Sequence, residues 1–248
     1  MRKREQAMYN ILTAALELFR QNGFQNTSVR QIAERAGAAL GMVNHYFASK
    51  EYLGAQVLSL LDTYANSPLS KWVTFQEDPI LYDLAAVRVF FRFLQEHGYW
   101  EFYLDSLRKD FFFNHLFNRP MVLISALQEI YHFTATEDDC LLYSKYLPYM
   151  MEKTVILKKA DGLFPTISYE EIPYLICQTA MNHFIPEADI RLRDDRSKGV
   201  AEEICRTLQD CPPEEMIWAY VRRLDASLQQ ATANSHSYWL RQISAINP

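Results

Sequence analysis

The chain has 248 residues, enough for one or two domains with a substantial core. Glycine supplies only seven of them, which disfavours sandwiches, barrels and glycine-rich phosphate loops, and a net charge of -5 provides no global basic field to hold nucleic acid or a membrane. Hydrophobic residues at 49% and aromatic ones at 14% exclude a disordered chain, so many rings must be buried.

The basic start, Met1 to Arg4, leads into an amphipathic stretch carrying Glu17 and Arg20 rather than the apolar block of a signal peptide. No apolar run approaches the roughly 18 residues of a membrane span, and the chain reads as cytoplasmic, with no membrane partner. Residues 1–55 hold seven basic and four acidic side chains, a net +3 that leaves -8 for the rest. Any DNA contact therefore has to be local. Ala7, Ile11, Leu12, Ala15, Leu18 and Phe19 recur at helical spacing and predict a first helix ended by Asn22-Gly23. Thr27 is the expected N-cap of a second helix with the stripe Val29, Ile32, Ala33 and Ala36, stopped by Gly37. A third, from about Ala39 to Tyr46, is expected to bury Leu40, Val43, Tyr46 and Phe47, and Ser49 caps a fourth. Two short helices joined by a glycine-containing turn make a helix-turn-helix.

Downstream, Asp78-Pro79 opens a helix that runs through Leu84, Val87, Phe91 and Leu94 to His97-Gly98. Thr136 with Asp139 and Ser168 with Glu171 read as capping boxes, and Pro148 is expected to bend the first of the helices they open. Residues 191–196 read as a solvated linker or helix face. Pro212-Pro213-Glu214-Glu215 starts a last helix through Ile217, Val221, Leu224 and Leu228. Cys140, Cys177, Cys205 and Cys211 lack CxxC spacing, and the six histidines form no ligand pattern, so neither a metal nor a cofactor is expected. No HExxH, GxSxG or Walker pattern supports an enzyme, and Glu152, Asp161 and Glu187 read as ordinary helix-surface charges.

The segment from Ile11 to Leu53 resembles the DNA-binding domain of TetR/AcrR-type transcriptional regulators. The matching residues include Ile11-Leu12, Ala14-Ala15, Leu18-Phe19, Gly23-Phe24, Thr27-Ser28-Val29, Ile32-Ala33, Ala36-Gly37, Gly41, Tyr46-Phe47 and Ser49-Lys50-Glu51. Two departures stand out: Ala38-Ala39 replaces the usual Val-Ser, removing the hydroxyl cap of the third helix, and Asn44 replaces a usual Tyr. The resemblance implies an all-α chain: an N-terminal three-helix helix-turn-helix DNA-binding domain over 1–52, then a larger helical effector-binding and dimerisation domain over 53–248. Arg2, Lys3 and Arg4 would form a flexible arm, and Thr27, Arg30 and Lys50 would meet phosphates. Ala38, Ala39, Met42, Asn44, His45 and Tyr46 would face the bases, with methyl contacts from Ala39 and Met42 to thymine, and Asn44 either reading an adenine edge or making a weaker phosphate contact than the usual Tyr.

Between Trp72 and Tyr149 the rings exceed what one helical seam can bury, so some of them are expected to line a cavity or a partner surface. Arg88, Phe91, Arg92, Trp100, Tyr103, His115 and Tyr146 are the candidates for holding an effector. Leu175, Ala180, Val221 and Leu224 are the candidates for a dimer seam. The function expected is a homodimeric repressor, released from double-stranded DNA at a palindromic operator by a small apolar or aromatic molecule. A DNA-bound adaptor that recruits a protein partner without a small ligand, or a helical enzyme, are the alternatives.

Overall fold

The computed structural model describes residues 3–116 and 122–246, with side chains described for all of these but 115, 116, 122 and 231–246. Among the described residues every regular element is helical. Helices α1 (Lys3–Asn22), α2 (Val29–Ala36) and α3 (Leu40–Phe47) form the head, packed around Ile11, Leu12, Ala15, Phe19, Ile32, Val43 and Phe47. Gly37 stops α2 in the left-handed region at φ 62°, where Ala38 N–H donates to Ala33 O at 2.9 Å and Gly37 N–H to Glu34 O at 3.2 Å.

Local details differ from the sequence reading. The N-cap of α2 is Ser28, not Thr27: Ser28 Oγ accepts from Gln31 N–H at 3.2 Å, and Gln31 Oε1 accepts from Ser28 N–H at 2.7 Å. A capping box needs an acceptor three residues on, and Thr27 faces Arg30, which can only donate. Thr27 instead turns inward, its hydroxyl donating to Gly23 O at 2.8 Å. The expected arm is also absent at Arg4, which lies in the first turn of α1 and pairs with the buried Asp225. Leu40, expected in the core, is 50% exposed.

The body begins with α4 (Lys50–Ala65), capped by Ser49, whose hydroxyl accepts from Tyr52 N–H at 3.0 Å. It continues through α5 (Pro79–Glu96), α6 (Trp100–Arg108), α7 (Phe111–Leu116), α8 (Val122–Tyr131) and α9 (Glu137–Leu141). The last four are α10 (Leu147–Ala160), α11 (Ile172–Met181), α12 (Glu187–Cys205) and α13 (Glu214–Ile246). The Asp78, Thr136 and Gly98 signals act as expected, while Ser168 and Glu171 close a turn one step ahead of α11. Pro148 has no N–H for the carbonyl of Ser144, and there the chain widens into a π turn over Leu142–Tyr146.

The most extensive helix pairing joins α5 to α12, where 191–196 is a helix face with Arg191, Leu192, Asp195 and Arg196 exposed and only Arg193 and Asp194 half-buried. Arg193 Nε bonds the Asp78 carboxylate at 2.7 Å, and Asp194 takes the buried Arg88 guanidinium. One apolar cluster runs from Met8 in α1 to Val221 in α13, while a smaller one joins α5, α8 and α11 around Leu84, Leu127 and Ala180. At Gly54 in α4 the head and body close on each other, since a Cβ there would lie 3.0 Å from both the Phe24 and Phe111 rings.

Candidate nucleic-acid interface

Helix α3 presents two unlike sides because Val43 and Phe47 are fixed in the head core. Ala39, Asn44 and His45 are exposed, whereas Ala38, Met42 and Tyr46 are half-buried. Ala39 makes no side-chain cap, as the missing hydroxyl implies, and α2 carries the exposed Ser28, Arg30 and Gln31. Leu40 and Gly41 join the exposed surface, and so does the Ser28 cap; sequence reasoning missed all three as surface features. Gln31 three residues after Ser28 was the available signal for the cap.

The cations around this face are engaged by the protein. Lys50 Nζ donates to the carbonyls of Phe24 and Thr27, both at 2.9 Å, and lies 4.2 Å from the Phe24 ring. Burial pushes its ammonium below the ordinary lysine value, and nearby Lys109 adds to that shift. Lys50 thus ties the turn after α1 to the start of α4. Arg30 pairs with Glu34 at 3.1 Å and stays exposed, and Arg35 bonds Glu17 at 2.6 Å. Arg4 links Asp225 of α13 to the Tyr46 ring, with its guanidinium carbon 5.8 Å from the centroid.

Within the body, the residues proposed to meet a ligand divide. Phe91, Trp100 and Tyr103 come together with ring centroids 5.5 to 5.8 Å apart. Arg92 pairs with Glu96 at 2.8 Å. Arg88 is occupied by the chain itself: Nε donates to Ser197 Oγ at 2.8 Å, and the remaining nitrogens reach Glu170 O and the Asp194 carboxylate. Tyr146 lies apart, 42% exposed and 6.1 Å from the Phe113 ring, and the His115 side chain falls outside the described residues.

Glu152 is not the surface charge expected. It accepts the hydroxyl proton of the buried Tyr103, and desolvation pushes its carboxyl up to about 7 despite that bond, with Asp83 adding to the rise. Desolvation likewise raises Asp83 to about 6. Of the seam candidates, Ala180 and Val221 lie in the chain's own cores, 2% and 0% exposed, which leaves them no area for a partner. Leu175 borders a surface pocket of about 370 Å³ between α11 and α12, and Leu224 packs half-buried against the main core.

The short helices, the glycine-stopped turn and the outward face of α3 define a helix-turn-helix head on an all-helical body. Residues 11–57 match the model of the bacterial regulatory proteins of the tetR family. The chain is 42% identical over 83 residues to the HTH-type transcriptional regulator RutR of Escherichia coli K12, and equally to RutR of Shigella flexneri. That match covers 33% of this chain and 36% of each relative, so it spans about a third of their length. The ligand-free crystal structure of RolR shares the fold at a TM-score of 0.54 and 16% identity, covering 75% of this chain and 96% of that one. Residues 11–57 are thus similar to the tetR-family helix-turn-helix segment, on a body whose fold is shared with RolR.

Proposed function

We propose that the protein is a DNA-binding transcriptional regulator in which residues 1–52 bind the operator and residues 53–248 dimerise and receive an effector. The observation that carries this reading is the exposed face of α3, with Ala39, Asn44 and His45 outward in a head that matches the tetR-family model. Ala38, Met42 and Tyr46 flank that face, and the exposed Arg30 on α2 serves the phosphates. Two heads set about 34 to 36 Å apart by a homodimer would meet a palindrome in successive major grooves. Leu175 and Leu224 are the seam residues with area left to give. The effector is a small, largely apolar or aromatic molecule bound near Phe91, Trp100 and Tyr103, and binding it in a state with different head spacing lowers DNA affinity by linkage. The protein acts as a repressor.

Selection from random duplexes followed by anisotropy at several salt concentrations tests this. A palindrome should be enriched, and log K should fall with log salt at a slope of about -5 to -9, as 6 to 10 neutralised phosphates require. Binding that ignores sequence or salt would refute it.

A further inference from the structure

We infer that Leu40 is a specificity-determining residue of the α3 face and that it covers the 5-methyl group of a thymine; the inference rests on the DNA-binding reading above. Leu40 opens α3 and is 50% exposed. It stands four residues before the exposed Asn44, so the two share one side of the helix. Its neighbours carry little bulk: Ala39 offers only a methyl, and a Cβ built on Gly41 would meet nothing within 4 Å. Leu40 therefore projects beyond them.

Chemistry narrows what such a face can read. Residues 36–49 contain no lysine, arginine, aspartate or glutamate. The cations at either end face elsewhere, since Arg35 bonds Glu17 at 2.6 Å and Lys50 donates to two backbone carbonyls at 2.9 Å. Guanine is read mainly by arginine or lysine at O6 and N7, and α3 supplies neither. The apolar feature of the major groove is the thymine methyl, and an exposed leucine gains by removing it from water. With Asn44 beside it, fit to accept and donate at an adenine edge, the pair favours an A·T step in each half-site.

The test selects sites from random duplexes with the full chain, then replaces each thymine singly by deoxyuridine, which lacks only the methyl. One replacement in each half-site should weaken binding about fourfold, the value of one buried methyl-sized group. Leu40→Ala, with an unchanged circular dichroism spectrum, should bind the thymine and deoxyuridine sites equally. Indifference of the unsubstituted protein to every replacement, or continued discrimination by Leu40→Ala, overturns the role of Leu40 while leaving DNA binding intact. Failure to enrich any sequence overturns the DNA-binding reading and this inference with it.

Discussion

Replacing Arg88 by Met separates a structural cation from a ligand-binding one. The side chain is 0% exposed, and burial pulls its guanidinium below the ordinary arginine value while Asp194 and Glu170 draw it back up, so it is held charged by its partners. Met fills similar volume without charge, leaving the Glu170 carbonyl and the Asp194 carboxylate without their donor. Breaking a buried pair from one side costs about 3 to 5 kcal/mol. The lower end, about 3 kcal/mol, applies here because Asp194 keeps Lys198 at 2.5 Å and Ser197 still donates to Asp194 O at 2.6 Å. The double variant Arg88→Met with Asp194→Leu should recover most of that loss, since well-packed apolar replacement of a buried pair is often neutral. Urea unfolding followed by circular dichroism gives both values, and operator affinity should be unchanged in the folded variants. A loss under about 1 kcal/mol for Arg88→Met, or additive losses in the double variant, would refute the reasoning.

Gly54→Ala gains helix propensity but drives a methyl to 3.0 Å from the buried Phe24 and Phe111 rings, so it should destabilise the protein by about 1 to 3 kcal/mol in urea melts; a neutral or stabilising result would mean the rings move aside freely. Glu152 is held near 7, above its ordinary value, so the folded state binds its proton more tightly and the stability this contributes is full below about pH 4.5 and lost as pH rises through 7. Glu152→Gln keeps an acceptor for Tyr103 and should flatten that decline, raising Tm at pH 8 and changing it little at pH 5; parallel Tm curves for the two proteins would exclude the assignment.

Much of the head was legible because its signals are local. Gly23 and Gly37 take the positive φ that their helix ends require, and the absent hydroxyl at Ala39 leaves α3 without a side-chain cap. Thr27 misled because two adjacent hydroxyls both suit an N-cap, and the decision rests on Gln31 rather than on either hydroxyl. Leu40 misled because its spacing from Val43 and Phe47 fits the buried stripe, yet the first turn of α3 runs beyond the cover that those two enjoy. The body was less legible, since its decisive contacts are distant in sequence. Nothing near Arg88 points to Asp194, and a charged stretch such as 191–196 reads as a solvated linker or helix face until its partners Arg88 and Asp78 are known. Glu152 likewise looks ordinary among its neighbours because what buries it, Tyr103 in particular, comes from another helix.

The junction between head and body carries a further prediction, because the boundary after residue 52 falls inside α4 and cuts through shared packing. Phe19 of α1 stacks on Phe102 of α6 at 4.8 Å, and Phe24 meets Phe111 of α7 at 4.6 Å. From the other side, Trp218 of α13 stacks on Tyr9 at 4.1 Å, and Asp225 of the same helix pairs with Arg4. Phe19 and Phe24 are 1% and 0% exposed in the whole chain. Uncovering these two rings would cost a fragment about 3 to 6 kcal/mol, at about 1.5 to 3 kcal/mol each. A head of this size would have only about 3 to 8 kcal/mol of stability to lose, at about 0.05 to 0.15 kcal/mol per residue. The whole chain should therefore unfold in one calorimetric transition, and a fragment of residues 1–52 should be largely unfolded by circular dichroism at 25 °C. Two separated transitions, or a fragment that melts cooperatively from a native-like helical spectrum, would mean that the rings contribute little to holding the head together and that the body is an independent unit.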